Sequence, residues 1–422
     1  MEKKIVGGSI GYQSNNELIE SVFRLNRKDI IYKRYSIKNE DLSSFLKERY
    51  FDFLFVGSPF KKKVVNHVDV LSKSVKNTLS CNFVINKGGV LFAYNTEPIS
   101  FINLCSKNDI NIEDKSVLIL GNGPSAKSIK YALLKSGAKS VVLSGRNHFD
   151  EGEISFKEAN KTDPQILINT TPSGKSVSDK KLVHISNFHK LETVIDIMDS
   201  PFRSLYLIDA KNKEKGVLNG VDFAAGNIKI AFSLFYKTIL PNQLFEFHKY
   251  HQLIRRLNIV FVGVDGKYKN KLFGPSNKDK FYNLIDFKKI IQEVSKKSYY
   301  SYLSQNKLDE YYLNEEALVK AFKTLKGKII NTSSLTLANQ TTATYLALNG
   351  YFVYLKYTKF EDVLSQNKKK VVFSAEEQKY IYQKLNKTYE QYADLTIAKE
   401  FDMDELFSEI YFAITGGKIW IY

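Results

Sequence analysis

At 422 residues the chain is too long for one hydrophobic core, and its length points to about two or three domains. Its 43% hydrophobic and 25% charged content is that of a soluble globular protein, no apolar run of about 18 residues occurs, and the opening residues lack a signal peptide's apolar stretch. Membrane insertion and secretion are therefore set aside, and the cytoplasm is the expected location. The net charge of +17 comes from dispersed lysines, with triplets only at Lys61-Lys62-Lys63 and Lys368-Lys369-Lys370, so no nucleic-acid partner is expected. The surplus favours small anionic ligands such as dinucleotides. Two cysteines and six histidines without ligating spacing give no disulfide framework and no expected metal site.

In chain order, Lys4–Tyr12 predicts a strand entering a glycine turn, followed by a helix over Asn16–Leu25 and a strand over Ile30–Tyr35. A helix around Glu40–Arg49 leads to a strand at Phe51–Val56, then Gly57-Ser58-Pro59-Phe60-Lys61 and a helical segment. Strands alternating with helices predict an α/β layer.

Ser116–Asn147 is the most informative stretch. The apolar run Val117–Leu120 predicts a buried strand, Gly121-Asn122-Gly123-Pro124-Ser125-Ala126 a glycine turn, and the following residues a helix ending at Gly137; Val141–Ser144 closes a βαβ unit. A G-x-G-x-x-A pattern in that context predicts a dinucleotide site: Gly121 for the turn, Gly123 for approach to a pyrophosphate, Ala126 for close helix–strand packing. The helix N-terminus would hold the phosphate charge. After the second strand stands Ser144-Gly145-Arg146-Asn147 rather than an acidic residue for ribose hydroxyls, so Arg146 is expected to face a 2′-phosphate and the cofactor to be NADP. The competing reading is a glycine turn that binds nothing.

Further on, Val194–Ile197 predicts a sheet strand, Gly220–Phe235 a helix, and Gln243–Leu257 an amphipathic connecting helix. From about residue 5 to residue 240 the motifs Phe55-Val56-Gly57-Ser58-Pro59-Phe60-Lys61, Ser80-Cys81-Asn82-Phe83, Tyr94-Asn95-Thr96-Glu97, the glycine fingerprint, Gly145-Arg146-Asn147 and Asn169-Thr170-Thr171-Pro172-Ser173-Gly174 resemble, in order and spacing, the shikimate dehydrogenase family. The resemblance implies an acid/base pair at Lys61 and Glu97, substrate contacts at Gln13, Asn15, Asn82 and Asn227, and cofactor contacts at Gly121, Gly123, Ser125, Ala126, Arg146 and Thr171. Departures fall on the substrate side: Gln13 and Asn15 replace two serines that hold the substrate carboxylate, and Glu97 replaces an aspartate. Oxidising a secondary alcohol needs a group that accepts the hydroxyl proton while hydride leaves, the role implied for Lys61. The plainer alternatives are that Lys61 opens a basic surface triplet and that Asn82 serves a local turn.

The last third again starts as a strand entering a glycine turn, Asn258–Asn270. In the register of a G-x-x-x-x-G-K-[ST] loop the chain has Gly263, Tyr268, Lys269 and Asn270: the lysine is kept, while the second glycine and the hydroxyl are not. With Asn331-Thr332-Ser333-Ser334-Leu335, Tyr351–Leu355 and Tyr389–Ile397, residues of about 258–410 resemble shikimate kinase, and Asp286 is matched to an acidic substrate contact. Tyr312 and Leu385 stand nearest to the arginines that would hold the substrate carboxylate.

The expected architecture is α/β throughout: a shikimate dehydrogenase-like two-domain unit with a Rossmann NADP-binding domain, followed by a P-loop kinase-like domain. Its bounds are 1–100, completed by about 228–254, for the substrate domain, 101–227 for the Rossmann domain, and 258–422 for an inactive kinase-like domain. The expected activity is interconversion of a ring hydroxyl and ketone on shikimate or a related carboxylated polyol. The alternative is a non-catalytic metabolite sensor or scaffold derived from the same folds.

Overall fold

The computed structural model describes residues 4–26, 29–147, 150–264, 267–274, 283–298, 301–302, 305, 307–322, 324–357 and 375–417. They form two units, one of residues 1–174, 180–200 and 213–252, the other of 175–179, 201–212 and 253–422.

The first unit contains two six-stranded sheets. In the first, β1 (Val6–Ile10), β2 (Ile31–Tyr35), β3 (Phe53–Val56), β4 (Val70–Leu71), β5 (Phe83–Lys87) and β6 (Val90–Tyr94) are ordered β2-β1-β3-β5-β6-β4. Period-two alternation sends Phe53 and Phe55 to one buried face and Leu54 and Val56 to the other. Phe53 and Phe55 join an aromatic cluster with Phe23 and Phe83, and Ile228, Ala231 and Phe232 of helix Val221–Tyr236 pack on the same face. Where a helical segment was expected after Lys61, the chain makes a 3-10 turn at Lys63–His67, strand β4, and then helix Lys73–Thr78.

Pairing in this sheet decides what meets at its edge. β3 runs parallel to β1, with Ile10 opposite Val56, and β5 is antiparallel to β3, with Phe55 opposite Phe83; Phe83 in turn faces Tyr94 at the end of β6. The loops 11–15, 57–61, 80–82 and 95–97 are therefore gathered at one end of the sheet.

The second sheet is all parallel, ordered β12-β11-β10-β7-β8-β9 from β7 (Ser116–Leu120), β8 (Ser140–Gly145), β9 (Ile154–Ser155), β10 (Ile166–Asn169), β11 (Thr193–Asp196) and β12 (Gly216–Leu218). Chain direction across the sheet reverses between β7 and β10, the point at which open α/β sheets bind their ligands.

The second unit carries a five-stranded parallel sheet, β14-β15-β13-β16-β17, made from β13 (Asn258–Val262), β14 (Leu284–Asp286), β15 (Ile329–Asn331), β16 (Gly350–Leu355) and β17 (Leu395–Ile397). Helix Leu205–Asn212 contributes Leu205 and Ile208 to its core. Arg203 and Lys211 each lie 2.6 Å from the partly buried Asp394 carboxylate, whose other oxygen accepts from the Phe352 N–H.

Glu315, on helix Leu308–Ala321, is fully buried in this unit, and its Oε1 accepts from Ser333 and Thr336. Burial pushes its carboxyl up to about 7 from 4.5. Because its folded value lies above the unfolded one, the stability this carboxyl leaves intact is fully present below pH 4.5, where both states are protonated, and is lost as pH rises from there through 7, a change of about 3 kcal/mol. Glu315→Gln should flatten this dependence, measured by hydrogen exchange in β13 and β15 across the same pH range; an unchanged slope would assign it to other groups.

Candidate active site

Lys61 and Glu97 meet. Lys61 Nζ donates to Glu97 Oε1 at 2.6 Å, with the lysine side chain 14% exposed and the glutamate 3%. Lys62 and Lys63 of the same triplet are exposed. The Lys61 backbone is held by its carbonyl, which accepts from Cys81 N–H at 2.9 Å. Gly57 allows this loop to lie against the chain after β1: a Cβ there would sit 2.1 Å from the Tyr12 carbonyl oxygen, and Tyr12 N–H donates to Ser58 O. Glu97 opens helix Glu97–Lys107, and its Oε2 is buried with no partner among the described residues. A buried carboxylate oxygen without a donor is costly, and a substrate hydroxyl would satisfy it.

One residue away, Thr96 binds Asn82 and Asn227 into a cluster. Asn82 Nδ2 donates to Thr96 Oγ1 at 2.8 Å and to Asn227 Oδ1 at 3.2 Å; Thr96 Oγ1 donates to Asn227 Oδ1 at 2.6 Å, and Thr96 N–H returns to Asn82 Oδ1. Asn95 reaches the other way, donating to Thr78 and to Ser128 of helix Pro124–Lys135. Gln13 and Asn15 lie on the loop after β1, where Gln13 offers its carbonyl to Asn16 and Asn15 donates to Ser14 Oγ at 3.1 Å. Ser14 in turn donates to Asp199 Oδ1 at 2.7 Å, a link between the loop after β1 and the loop after β11. That contact joins residues 185 apart, beyond any local signal in the sequence.

On the cofactor side, Gly121 follows β7 with φ +111, a conformation open to glycine, and a Cβ there would lie 2.3 Å from Thr170 Oγ1. Thr170 donates to Leu120 O at 2.7 Å, and Thr171 Oγ1 to Asn169 Oδ1 at the same distance, so both glycine and threonine loops border the switch point. Beside Gly123 lies open space: a Cβ would meet nothing within 4 Å. The chain's own packing does not require glycine there, whereas a pyrophosphate drawn against the backbone would. Ala126 is fully buried against the sheet, and Arg146 is exposed with no partner among the described residues. The donor set fits a dinucleotide: amide groups at the start of helix Pro124–Lys135, and the exposed Arg146 guanidinium after β8. Asn122 donates to Glu153 Oε2 at 3.0 Å, an acidic neighbour of the fingerprint that lies outside its motif.

The second unit's glycine turn is differently filled. Gly263 has φ +125 and follows β13, but the Tyr268 ring stacks on Tyr357 with centroids 4.7 Å apart and 6° between planes, and Tyr268 N–H donates to Tyr357 Oη. Lys269 is 3% exposed, and its Nζ donates to Thr332 O at 2.8 Å. Asp286 caps helix Phe287–Ser295 and accepts from Asn331 Nδ2 at 3.0 Å. Tyr312 and Leu385 pack within or against the unit's core clusters. Residues 265 and 266 of the turn lie outside the described residues.

Among the described residues no cluster of histidine, cysteine or acidic side chains could hold a metal ion, and no helix is long and apolar enough to cross a membrane.

Sheet order, fingerprint and paired Lys61 and Glu97 define a two-sheet α/β unit with a Rossmann-type dinucleotide half. Comparison with known proteins narrows the class. The chain is 28% identical over 255 residues to the NADP+ shikimate dehydrogenase of Clostridium beijerinckii, a match covering 57% of this chain and 93% of that protein. The structure of shikimate dehydrogenase 1 from Peptoclostridium difficile superposes with TM-score 0.54 at 20% identity, covering 58% of this chain and 97% of that one. That of shikimate 5-dehydrogenase from Thermus thermophilus, solved in complex with NADP(H) and shikimate, gives 0.52 at 20% identity, covering 58% and 99%. Residues 278–415 match the shikimate kinase family. Shikimate dehydrogenase homologues thus cover the N-terminal part of the chain, and a region similar to the shikimate kinase family follows it.

Proposed function

We propose that the first unit is an NADP-dependent oxidoreductase that interconverts a ring hydroxyl and a ketone on shikimate or a related carboxylated polyol. The observation that carries this reading is the Lys61–Glu97 pair, sequestered at 2.6 Å with Glu97 Oε2 left to a substrate donor. Gly121, Gly123, Ser125 and Ala126 would hold the dinucleotide's phosphates through backbone amides, Thr171 would border it, and Arg146 would take the 2′-phosphate. When bound, the cofactor supplies or accepts the hydride. Lys61 gives its Nζ proton to the ketone oxygen in reduction and takes it back in oxidation, while Glu97 Oε1 holds the ammonium and Oε2 orients a neighbouring hydroxyl. The Asn82–Thr96–Asn227 cluster stands at the same edge as a set of polyol contacts. Gln13 and Asn15 offer amides in place of hydroxyls, which supports a substrate departing from shikimate in its carboxylate surroundings.

Removing Arg146 tests the cofactor assignment. Arg146→Ala should raise the KM for NADPH roughly 10- to 100-fold, the worth of a charge-assisted contact to phosphate, while NADH kinetics stay unchanged. Equal losses with both cofactors would argue against a 2′-phosphate contact.

For the second unit, the Tyr268–Tyr357 stack and the inward-turned Lys269 support a kinase-like domain that transfers no phosphoryl group. The intact protein should consume no ATP with shikimate and magnesium, in a coupled assay that detects an added shikimate kinase. NADPH-linked turnover of the keto form of shikimate or quinate by the intact protein tests the main reading; NADPH binding without turnover would favour the sensor.

A further inference from the structure

We propose that Ser125 is a positioning residue that ties the acid/base pair to the dinucleotide loop, an inference that rests on the dehydrogenase reading of the first unit. Ser125 is the second residue of helix Pro124–Lys135, inside the glycine fingerprint, yet its side chain points to the chemistry. Ser125 Oγ donates to Glu97 Oε1 at 2.9 Å and accepts from Lys61 Nζ at 3.0 Å, closing a triangle with the 2.6 Å Lys61–Glu97 contact. A hydroxyl can do both at once, because it has one proton to give and lone pairs to receive.

Two consequences follow from that triangle. Glu97 Oε1 receives two donors while Oε2 receives none among the described residues, so the carboxylate is locked about its terminal torsion with Oε2 as the acceptor offered to substrate. The lock also belongs to the dinucleotide helix: Ser128, one turn on, accepts from Asn95, whose Oδ1 accepts the Glu97 N–H. Ser125 and Ser128 thus hold both ends of Glu97, and a phosphate seated at the helix N-terminus acts on the same turn that orients the pair. Cofactor occupancy would then be felt at Lys61 most directly through the Ser125 hydroxyl, the group of that helix that touches both members of the pair.

The test compares wild type, Ser125→Ala and Ser125→Thr, with two readouts. In steady-state kinetics with NADPH and the keto substrate, Ser125→Ala should lower kcat roughly tenfold, the loss expected for one hydrogen bond to a charged group, while the NADPH dissociation constant stays within about twofold. Ser125→Thr, which keeps the hydroxyl, should recover most of kcat. In proteins carrying 13C-lysine, the Lys61 Cε resonance, assigned through Lys61→Arg, should move on addition of NADP+ in wild type and Ser125→Thr and move clearly less in Ser125→Ala. Weakened NADPH binding with unchanged kcat would make Ser125 a cofactor ligand and overturn the proposal, as would the same Lys61 response in all three proteins. Were wild type to bind NADP+ without turning over any candidate, the dehydrogenase reading would fall while the Lys61 resonance still decided the coupling.

Discussion

Lys61→Ala is expected to lower kcat for NADPH-linked ketone reduction by about 10²- to 10⁴-fold, the usual contribution of a positioned acid or base, with the NADPH dissociation constant unchanged. Lys61 Nζ is the cationic group held against Glu97, so its loss removes the proton donor and leaves a buried carboxylate facing an empty position. The variant should also lose thermal stability. Lys61→Arg separates the two effects: it restores a cation for Glu97, and with it stability, but an arginine that does not deprotonate cannot shuttle the proton. Full activity in Lys61→Ala would reduce the Lys61–Glu97 contact to a structural ion pair.

Gly121→Ala is expected to abolish productive dinucleotide binding and to destabilise the unit by about 1–3 kcal/mol, because φ +111 strains any side chain. Its Cβ would also fall 2.3 Å from Thr170 Oγ1, displacing a hydroxyl that donates to Leu120 O. The double variant Gly121→Ala/Thr170→Ala removes that clash but not the strain, so it should regain part of the lost melting temperature and little of the NADPH affinity. Calorimetry and fluorescence titration on the same samples measure both. Wild-type affinity in the single variant would show that the turn does not carry the dinucleotide.

The α/β architecture was legible because its signals are local and periodic. Val117–Leu120 followed by Gly121 and a helix can be read within about thirty residues, and the structure forms β7, turn and helix there. Tyr268 was equally legible, since a ring at a glycine position contradicts a phosphate cradle whatever surrounds it; only its stacking on Tyr357 needed coordinates. The site was legible in part. Motif order singled out Lys61, Glu97, Asn82 and Asn227, and sheet pairing gathers the first three at one edge, where Asn227 joins them from helix Val221–Tyr236; Gln13 and Asn15 lie on the neighbouring loop at that edge, whose Ser14 turns to Asp199. The role of Ser125 was hidden by its own motif: a serine in a glycine fingerprint reads as a phosphate contact. The spacing of Ser125 and Ser128, three apart on one helix face, was the available hint. Glu315 gave no hint at all, because burial of one glutamate in a charged helix depends on which face the sheet covers.

The most direct measurement follows a label rather than a rate. NADPH carrying deuterium at the transferable position is incubated with the intact protein and the keto forms of shikimate and quinate, and the products are analysed by mass spectrometry and NMR. The account predicts one deuterium on the ring carbon that bears the new hydroxyl, and none with Lys61→Ala on the same timescale. NADPH bound by the intact protein, with no deuterium transferred to either ring, would contradict it.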